Sequence, residues 1–276
     1  MKRIVLLAHP AGHSLSPTMH NAALLHLDIP ARYEALDVPP EGLPGAVEEL
    51  RGPEFLGANV SVPHKVVVAQ LVDELSGSAD TVGAVNTVVN CGGHLTGHNT
   101  DGSGFLRGLA DIGFDPEGSR VLLLGAGGAA KGVAAALLRA GVSRLAVYNR
   151  TTARAVELAE TFSHLGPVEP VVAGGLEGSL GWAQLLVNAT TVGMEHGVDT
   201  EASPLPGGLV PRQGVVVDLI YRPERTRLLR ESELAGLVVQ NGLPMLVYQG
   251  AEAFEIWLGR AAPTETMFAA IRTALL

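Results

Sequence analysis

The apolar run Val121-Leu122-Leu123-Leu124 passes directly into Gly125-Ala126-Gly127-Gly128-Ala129-Ala130, and a helical pattern extends from there through Ala140 to a second apolar run, Leu145 to Tyr148. A strand that is apolar at every position is expected where both faces of a parallel sheet are covered. Two parallel strands need a crossover between them, and the intervening helix supplies it. This unit predicts α/β architecture, and the rest of the chain agrees, because strand-like runs alternate with helical patterns almost from end to end. Strands are expected at Ile4 to Ala8, Tyr33 to Val38, Gly57 to Val62, Leu185 to Ala189, Val215 to Leu219 and Leu237 to Gln240. A hairpin is expected from Val85 to Gly97 around Cys91-Gly92-Gly93, and a helix near Leu43 to Leu50. Another helix should open at Ser16-Pro17, with Ser16 as N-cap and Pro17 in the first helical position. The second unit begins near Ser103, and Leu243 to Gly259 with a further helix from Pro263 closes the chain.

The glycine pattern has a chemistry of its own. Gly125-x-Gly127-x-x-Ala130 follows a strand and opens a helix, the context in which such a loop holds a dinucleotide pyrophosphate on free helix N–H groups. The first Gly allows the tight turn, the second lets backbone approach the phosphates, and a small third residue packs helix on strand. Glycines also punctuate ordinary strand-to-helix turns, so the next strand decides. NAD sites place a carboxylate about 20 residues on, at that strand's end, for the ribose 2′-OH. Here the end reads Asn149-Arg150-Thr151-Thr152-Ala153-Arg154. Two guanidiniums at a helix N-terminus oppose the helix dipole, but they would grip a 2′-phosphate through charge-assisted bonds. The reading is NADP rather than NAD.

A second chemical candidate lies earlier. Of 19 basic residues only Lys2, Lys65 and Lys131 are lysines. A Lys amine can be tuned to lose its proton, whereas Arg cannot. Lys65 and Asp101 could form a proton-transfer pair, the amine moving the proton and the carboxylate orienting and balancing it. Both are expected at strand ends or loop starts, where catalytic groups project into crevices. A salt bridge joining two loops fits the same pattern. Ser14 and Ser16 could hold a small carboxylate, although Ser16 could equally serve only as a cap. His9, His13, His20 and His26 lack zinc spacing, so no metal is expected. Cys91 has no evident base partner and reads as a small buried residue.

Composition bounds the remaining classes. The 276 residues suffice for two domains, and 47 % hydrophobic content with 34 Gly and 17 Pro describes globular α/β material with many tight turns. A net charge of −9 without a basic run argues against nucleic-acid binding. Ile4 to Ala8 is too short for a signal-peptide core, and no stretch is long enough to span a membrane. One cysteine permits no internal disulfide, which suits a reducing cytoplasm.

Taken together, these residues resemble the shikimate dehydrogenase family over nearly the whole chain. The resemblance is carried by His13-Ser14-Leu15-Ser16-Pro17, Gly57-Ala58-Asn59-Val60-Ser61-Val62-Pro63 with Lys65, Gly83-Ala84-Val85-Asn86-Thr87 and Gly97-His98-Asn99-Thr100-Asp101-Gly102. In the second half it rests on Gly125 to Ala130, Asn149-Arg150-Thr151, Asn188-Ala189-Thr190 with Gly193-Met194, Asp218-Leu219-Ile220-Tyr221, and Gly242 through Met245-Leu246 to Gln249-Gly250.

The resemblance implies NADPH-dependent reduction of 3-dehydroshikimate to shikimate, in aromatic amino-acid biosynthesis. It implies two α/β domains: residues 1–102 plus 243–276 for substrate, with the C-terminal helices returning to them, and residues 103–242 as a Rossmann-type NADP domain. Ser14, Ser16 and Tyr221 would hold the substrate carboxylate; Ser61, Asn86, Asp101 and Gln249 would bind ring hydroxyls. Lys65 with Asp101 would handle the proton. Gly125, Ala126, Gly127, Gly128, Ala129, Asn149, Arg150, Thr151, Arg154, Thr190, Leu219 and Gly242 would contact the cofactor. Ser61 stands where the family usually has Thr, His64 replaces an aromatic and would add a titratable neighbour to Lys65, and Gly77 stands where some members contact the cofactor. The alternatives are a quinate/shikimate dehydrogenase using NAD or NADP, an aminoshikimate dehydrogenase, and a non-catalytic ligand sensor. The paired serines and the lack of an acid near Asn149 argue against the first, and the presence of both Lys65 and Asp101 argues against the last. Oligomeric state is not legible, and a homodimer is compatible with the sequence.

Overall fold

Ile4 to Leu7, the apolar centre of the first strand, are almost completely buried, and the chain builds outward from them. The structure is a computed structural model describing all residues except Ala173, His196, Val198 and Leu276. In chain order the elements begin with β1 (Lys2–Ala8), α1 (Ser16–His26), β2 (Ala31–Asp37), α2 (Leu43–Glu49), β3 (Phe55–Val60) and α3 (Lys65–Val68). Next come β4 (Glu74–Leu75), α4 (Gly77–Val82), β5 (Thr87–Cys91), β6 (His94–His98) and α5 (Asp101–Asp111). The second half holds β7 (Arg120–Leu124), α6 (Gly128–Arg139), β8 (Arg144–Tyr148), α7 (Thr152–Phe162), β9 (Val168–Pro170) and α8 (Leu176–Trp182). It continues with β10 (Leu185–Asn188), β11 (Val215–Asp218), α9 (Arg227–Leu234) and β12 (Val238–Gln240), and the chain ends in α10 (Leu243–Leu258) and α11 (Thr264–Leu275).

Two compact units result: residues 1–104 with 247–276, and residues 105–246. The first contains a mixed sheet in the order β2-β1-β3-β5-β6-β4. Its β1 pairs in parallel with β2 and β3, while β5 runs antiparallel to β3 and β6. The register sets Asn59 of β3 opposite Thr87 of β5, and Thr87 opposite His98 of β6. Val5, Leu7, Leu43, Val47, Ala58, Val88 and Leu95 fill one core of this unit, and α11 packs on α1. Truncating such a core leucine typically costs about 2–5 kcal/mol.

The second unit is an all-parallel sheet in the order β12-β11-β10-β7-β8-β9. From β7 the chain moves outward through β8 to β9, then returns to β10 on the other side and moves outward again. The carboxyl ends of β7 and β10 therefore flank the point where strand order reverses, where open α/β sheets bind their ligands.

Several local expectations need correction. Ser16 is the first residue of α1 rather than its side-chain cap; Leu15 precedes the helix, and Ser14 Oγ accepts from the Ser16 N–H at 3.2 Å. Cys91 is exposed, because it ends β5 at the hairpin turn instead of pointing into the core. The short β4 and the helix α4 carry weak patterns, although α4 has legible ends. The Ser76 hydroxyl accepts from Ala79 N, and Gly83 closes the helix in the left-handed region at φ 64°.

Candidate active site

In the first unit, β3 delivers the chain to a loop at Ser61 that is tied at both ends. Ser61 N donates to Leu7 O at 2.9 Å, and His64 N donates to Ser61 O at 2.9 Å. The His64 ring is 1 % exposed and bonds Val38 O through Nε2 at 2.8 Å. Its role is to anchor the loop to the end of β2. Lys65 then opens α3, and its carbonyl accepts from Val85 N at 2.8 Å. Asp101 opens α5, where a carboxylate is favoured by the helix dipole, and its own N–H donates to Asn99 Oδ1 at 3.1 Å. Both members of the expected pair, placed by the sequence reading at strand ends or loop starts, are the first residues of helices.

Lys65 Nζ donates to Asp101 Oδ2 at 2.5 Å, with side chains 14 % and 3 % exposed respectively. The other carboxylate oxygen accepts from Asn86 Nδ2 at 2.9 Å, and the same amide reaches Gln249 Oε1 at 3.2 Å. Thr100 completes the cluster: its N–H donates to Asn86 Oδ1 at 2.9 Å and its hydroxyl to Gln249 O at 2.9 Å. Gln249 approaches so closely because residue 104 is Gly; a Cβ there would lie 2.6 Å from Gln249 N. The result is a largely buried cation–carboxylate pair whose carboxylate is oriented by the Asn86 amide. Such a pair is charge-balanced while the amine holds its proton, and that proton can be passed to a bound oxygen.

Of the other substrate residues expected in this unit, Ser16 is buried. Ser14 and Ser61 are partly exposed. Tyr221 follows β11 and belongs to the second unit. Pattern reading assigns no role to Tyr33, Asn59, Thr87 or Thr100, all of which the structure ties to this cluster. Only Asn59 and Thr100, both polar within otherwise strand-like or turn sequence, carry a signal that could be followed.

The second unit assembles its expected residues at the carboxyl edge of its sheet. Gly125 has φ 108°, and a Cβ there would meet Ala189 and the Thr190 methyl at 3.1 Å, so only glycine turns the chain without strain. A Cβ at Gly127 would meet nothing within 4 Å, leaving room for a ligand against the backbone. No side chain caps α6, whose first N–H groups follow directly. Gly242 donates to Ile220 O at 3.0 Å, and a Cβ on it would be 1.9 Å from Leu219 O, so these two chain segments can meet only because residue 242 is Gly. Thr190 is fixed by Asn188 Oδ1, which accepts from its N–H at 3.0 Å and its hydroxyl at 2.7 Å. Asn188 in turn donates to Asp218 at 2.9 Å. Burial pushes the Asp218 carboxyl up to about 6, against the opposing pull of its donors Thr226, Ile220 N–H and Asn188. Arg150, Thr151 and Arg154 are exposed at the start of α7, and Asn149 Nδ2 donates to Thr151 O at 2.9 Å. These features fit a dinucleotide carrying a 2′-phosphate: a strained glycine turn, open backbone, an uncapped helix and exposed guanidiniums.

Comparison with known proteins agrees with this chemistry. Residues 6–88 match the shikimate dehydrogenase substrate binding domain, 109–191 the shikimate / quinate 5-dehydrogenase family, and 242–272 the shikimate 5′-dehydrogenase C-terminal domain. A shikimate dehydrogenase (NADP(+)) of Symbiobacterium thermophilum is 48 % identical over 276 residues, covering 98 % of this chain and 93 % of that protein. The chain belongs to the shikimate dehydrogenase family. A crystal structure of shikimate 5-dehydrogenase from Thermus thermophilus in complex with NADP(H) and shikimate is 46 % identical, covers all of both chains, and superposes with a TM-score of 0.90. Quinate dehydrogenase from Corynebacterium glutamicum in complex with NAD reaches a TM-score of 0.89 at 31 % identity, covering 99 % of each chain. Backbone shape is thus common to both branches of the family, and the choice between them rests on side chains.

Proposed function

We propose that this protein is an NADP-dependent shikimate dehydrogenase, interconverting 3-dehydroshikimate and shikimate. The observation that carries the reading is the Lys65–Asp101 contact at 2.5 Å inside a buried, amide-oriented cluster. Oxidoreduction of an alcohol needs a partner for the hydroxyl proton, and this cluster supplies one. NADPH, when bound, supplies the hydride that the C3 ketone accepts. Lys65 protonates the new alkoxide oxygen as the ketone becomes a hydroxyl, and Asp101 keeps the amine oriented. Asn86, Gln249 and Ser61 bind ring hydroxyls, while Ser14, Ser16 and Tyr221 take the carboxylate. Gly125 to Ala129, Asn149, Thr151, Thr190, Leu219 and Gly242 are the residues that would hold the dinucleotide, with Arg150 and Arg154 on its 2′-phosphate.

The reading assigns residues 1–102 with 243–276 to substrate and 103–242 to NADP, in a cytoplasmic biosynthetic setting. Among the described residues no helix is long and apolar enough to cross a membrane. Initial rates with shikimate or quinate, each paired with NADP or NAD, test the proposal. Turnover confined to shikimate with NADP supports it. Comparable rates on quinate, or with NAD, place the protein in the broader-specificity branch instead.

A further inference from the structure

We propose that Tyr33 and Asn59 are positioning residues for the proton-transfer pair, acting on it through one directional chain of buried hydrogen bonds. This rests on the function proposed above and adds two residues to it.

The direction of the chain follows from which atoms can donate. Tyr33 OH donates to Asn59 Oδ1 at 2.8 Å. That contact identifies the oxygen of the Asn59 amide, so its nitrogen faces Asn86 O at 3.1 Å and Thr87 Oγ1 at 3.2 Å. Thr87 Oγ1 accepts there and therefore spends its own proton on Asn86 Oδ1 at 3.0 Å. Asn86 is left presenting its nitrogen to Asp101 Oδ1 at 2.9 Å, and Asp101 holds Lys65. At the other end, the Tyr33 oxygen has given its only proton to Asn59, so the chain starts at that phenol. Asn86 Oδ1 has a second donor in Thr100 N at 2.9 Å, so loss of the chain should impair the site without dismantling it.

The surroundings hold this chain rigid. Tyr33 is 2 % exposed, Asn59 5 % and Thr87 0 %. The His20 ring stacks on Tyr33 with centroids 4.4 Å apart and planes at 11°, and Trp257 lies across both rings. Trp257 is fixed by its Nε1–H bond to Val88 O at 2.8 Å, an approach that the missing Cβ of Gly57 permits. Burial keeps the Tyr33 phenol protonated well above its usual range, so the donor to Asn59 persists across working pH. An Asn59 amide without that proton would bury an oxygen with no donor, or flip and set oxygen against Asn86 O.

Tyr33→Phe and Thr87→Val each remove one hydroxyl while preserving shape, at opposite sides of Asn59. Steady-state rates at 25 °C should show kcat/KM for shikimate reduced about 3- to 10-fold in each, the effect of one neutral hydrogen bond. KM for NADP should not change. Because both act through the same amide, the double variant should be no worse than about twofold below the weaker single variant. Shikimate kinetics equal to the unmodified protein in either folded variant, with only the melting temperature lowered, would reduce the chain to a packing feature. Effects that multiply fully in the double variant would equally overturn a single shared path. If Tyr33→Phe does not fold, Thr87→Val decides by the same kinetic criterion. Absence of shikimate turnover in the unmodified protein overturns both this inference and the function it rests on, whereas normal turnover with indifferent variants removes this inference alone.

Discussion

Replacing Lys65 separates proton transfer from structure, because two different substitutions affect the two properties differently. In Lys65→Ala, Asp101 at 3 % exposure loses its ammonium at 2.5 Å but keeps Asn86 Nδ2 at 2.9 Å. A fully stranded buried charge costs about 3–5 kcal/mol; with one donor retained, about 1–3 kcal/mol is expected. In a protein with domains of this size that lowers the melting temperature by roughly 3–10 °C. The catalytic loss should be larger, about 10²- to 10⁴-fold in kcat, since a positioned acid contributes that much. Lys65→Arg keeps a cation beside Asp101 and should therefore recover most of the melting temperature. It should not recover kcat, because a guanidinium does not surrender its proton at ordinary pH. Stopped-flow and steady-state NADPH oxidation with 3-dehydroshikimate, read beside thermal melts, measure both quantities. Should either variant keep kcat within about fivefold of the unmodified protein while only KM rises, Lys65 is a binding residue and the proton must move through another group.

Three further outcomes are expected. Arg150→Ala combined with Arg154→Ala should narrow the preference for NADP over NAD by about 10-fold or more, seen in kcat/KM for the two cofactors; an unchanged ratio would sink the 2′-phosphate assignment. Gly242→Ala places a Cβ 1.9 Å from Leu219 O, where ordinary contact needs about 3.5 Å, so one segment must retreat by well over an ångström. KM for NADPH should rise about 10-fold or more with KM for shikimate little altered, and equal KM values would show that neither segment touches the cofactor. Burial lowers His20 to about 3 from 6.5, so the unfolded chain binds a proton that the native state refuses. Stability from this group is complete above about pH 6.5 and is lost as pH falls toward 3. Asp218, raised to about 6 from 3.8, acts in the opposite sense, favouring the native state as pH falls from 6 toward 3.8. Denaturant unfolding of His20→Phe at pH 7 and pH 4.5 should therefore show a smaller acid loss than the parent protein, and an identical loss removes His20 as its source.

The second unit is legible in the sequence because its signals are local. An apolar strand, a glycine turn and a helix are adjacent in the chain, and the structure adds mainly the reason that Gly125 and Gly242 tolerate no side chain. The helix start at residue 16 is harder to read because Ser14 and Ser16 are equally good caps by residue type. Only the backbone path shows that the Ser14 hydroxyl meets the Ser16 N–H. Cys91 defeats a pattern reading because strand alternation does not say which face points inward at a hairpin end. His64 is expected to bear on Lys65, yet its ring bonds the end of β2, a partner 26 residues distant in the chain.

What the amino-acid order determined by itself was the α/β class, the dinucleotide turn, the missing carboxylate near Asn149, and the presence of Lys65 and Asp101 as a candidate pair. Each depends on spacing within a few residues or on the chemistry of a single side chain. What only the tertiary structure decided was which polar groups share a site. Asn86 meets Gln249 across 163 positions of sequence, and Tyr33 meets Asn59 across a β1 strand that lies between their own. Hydrogen bonds of this kind are set by strand register and helix approach at tenths of an ångström, and no local pattern records the direction in which a buried amide faces.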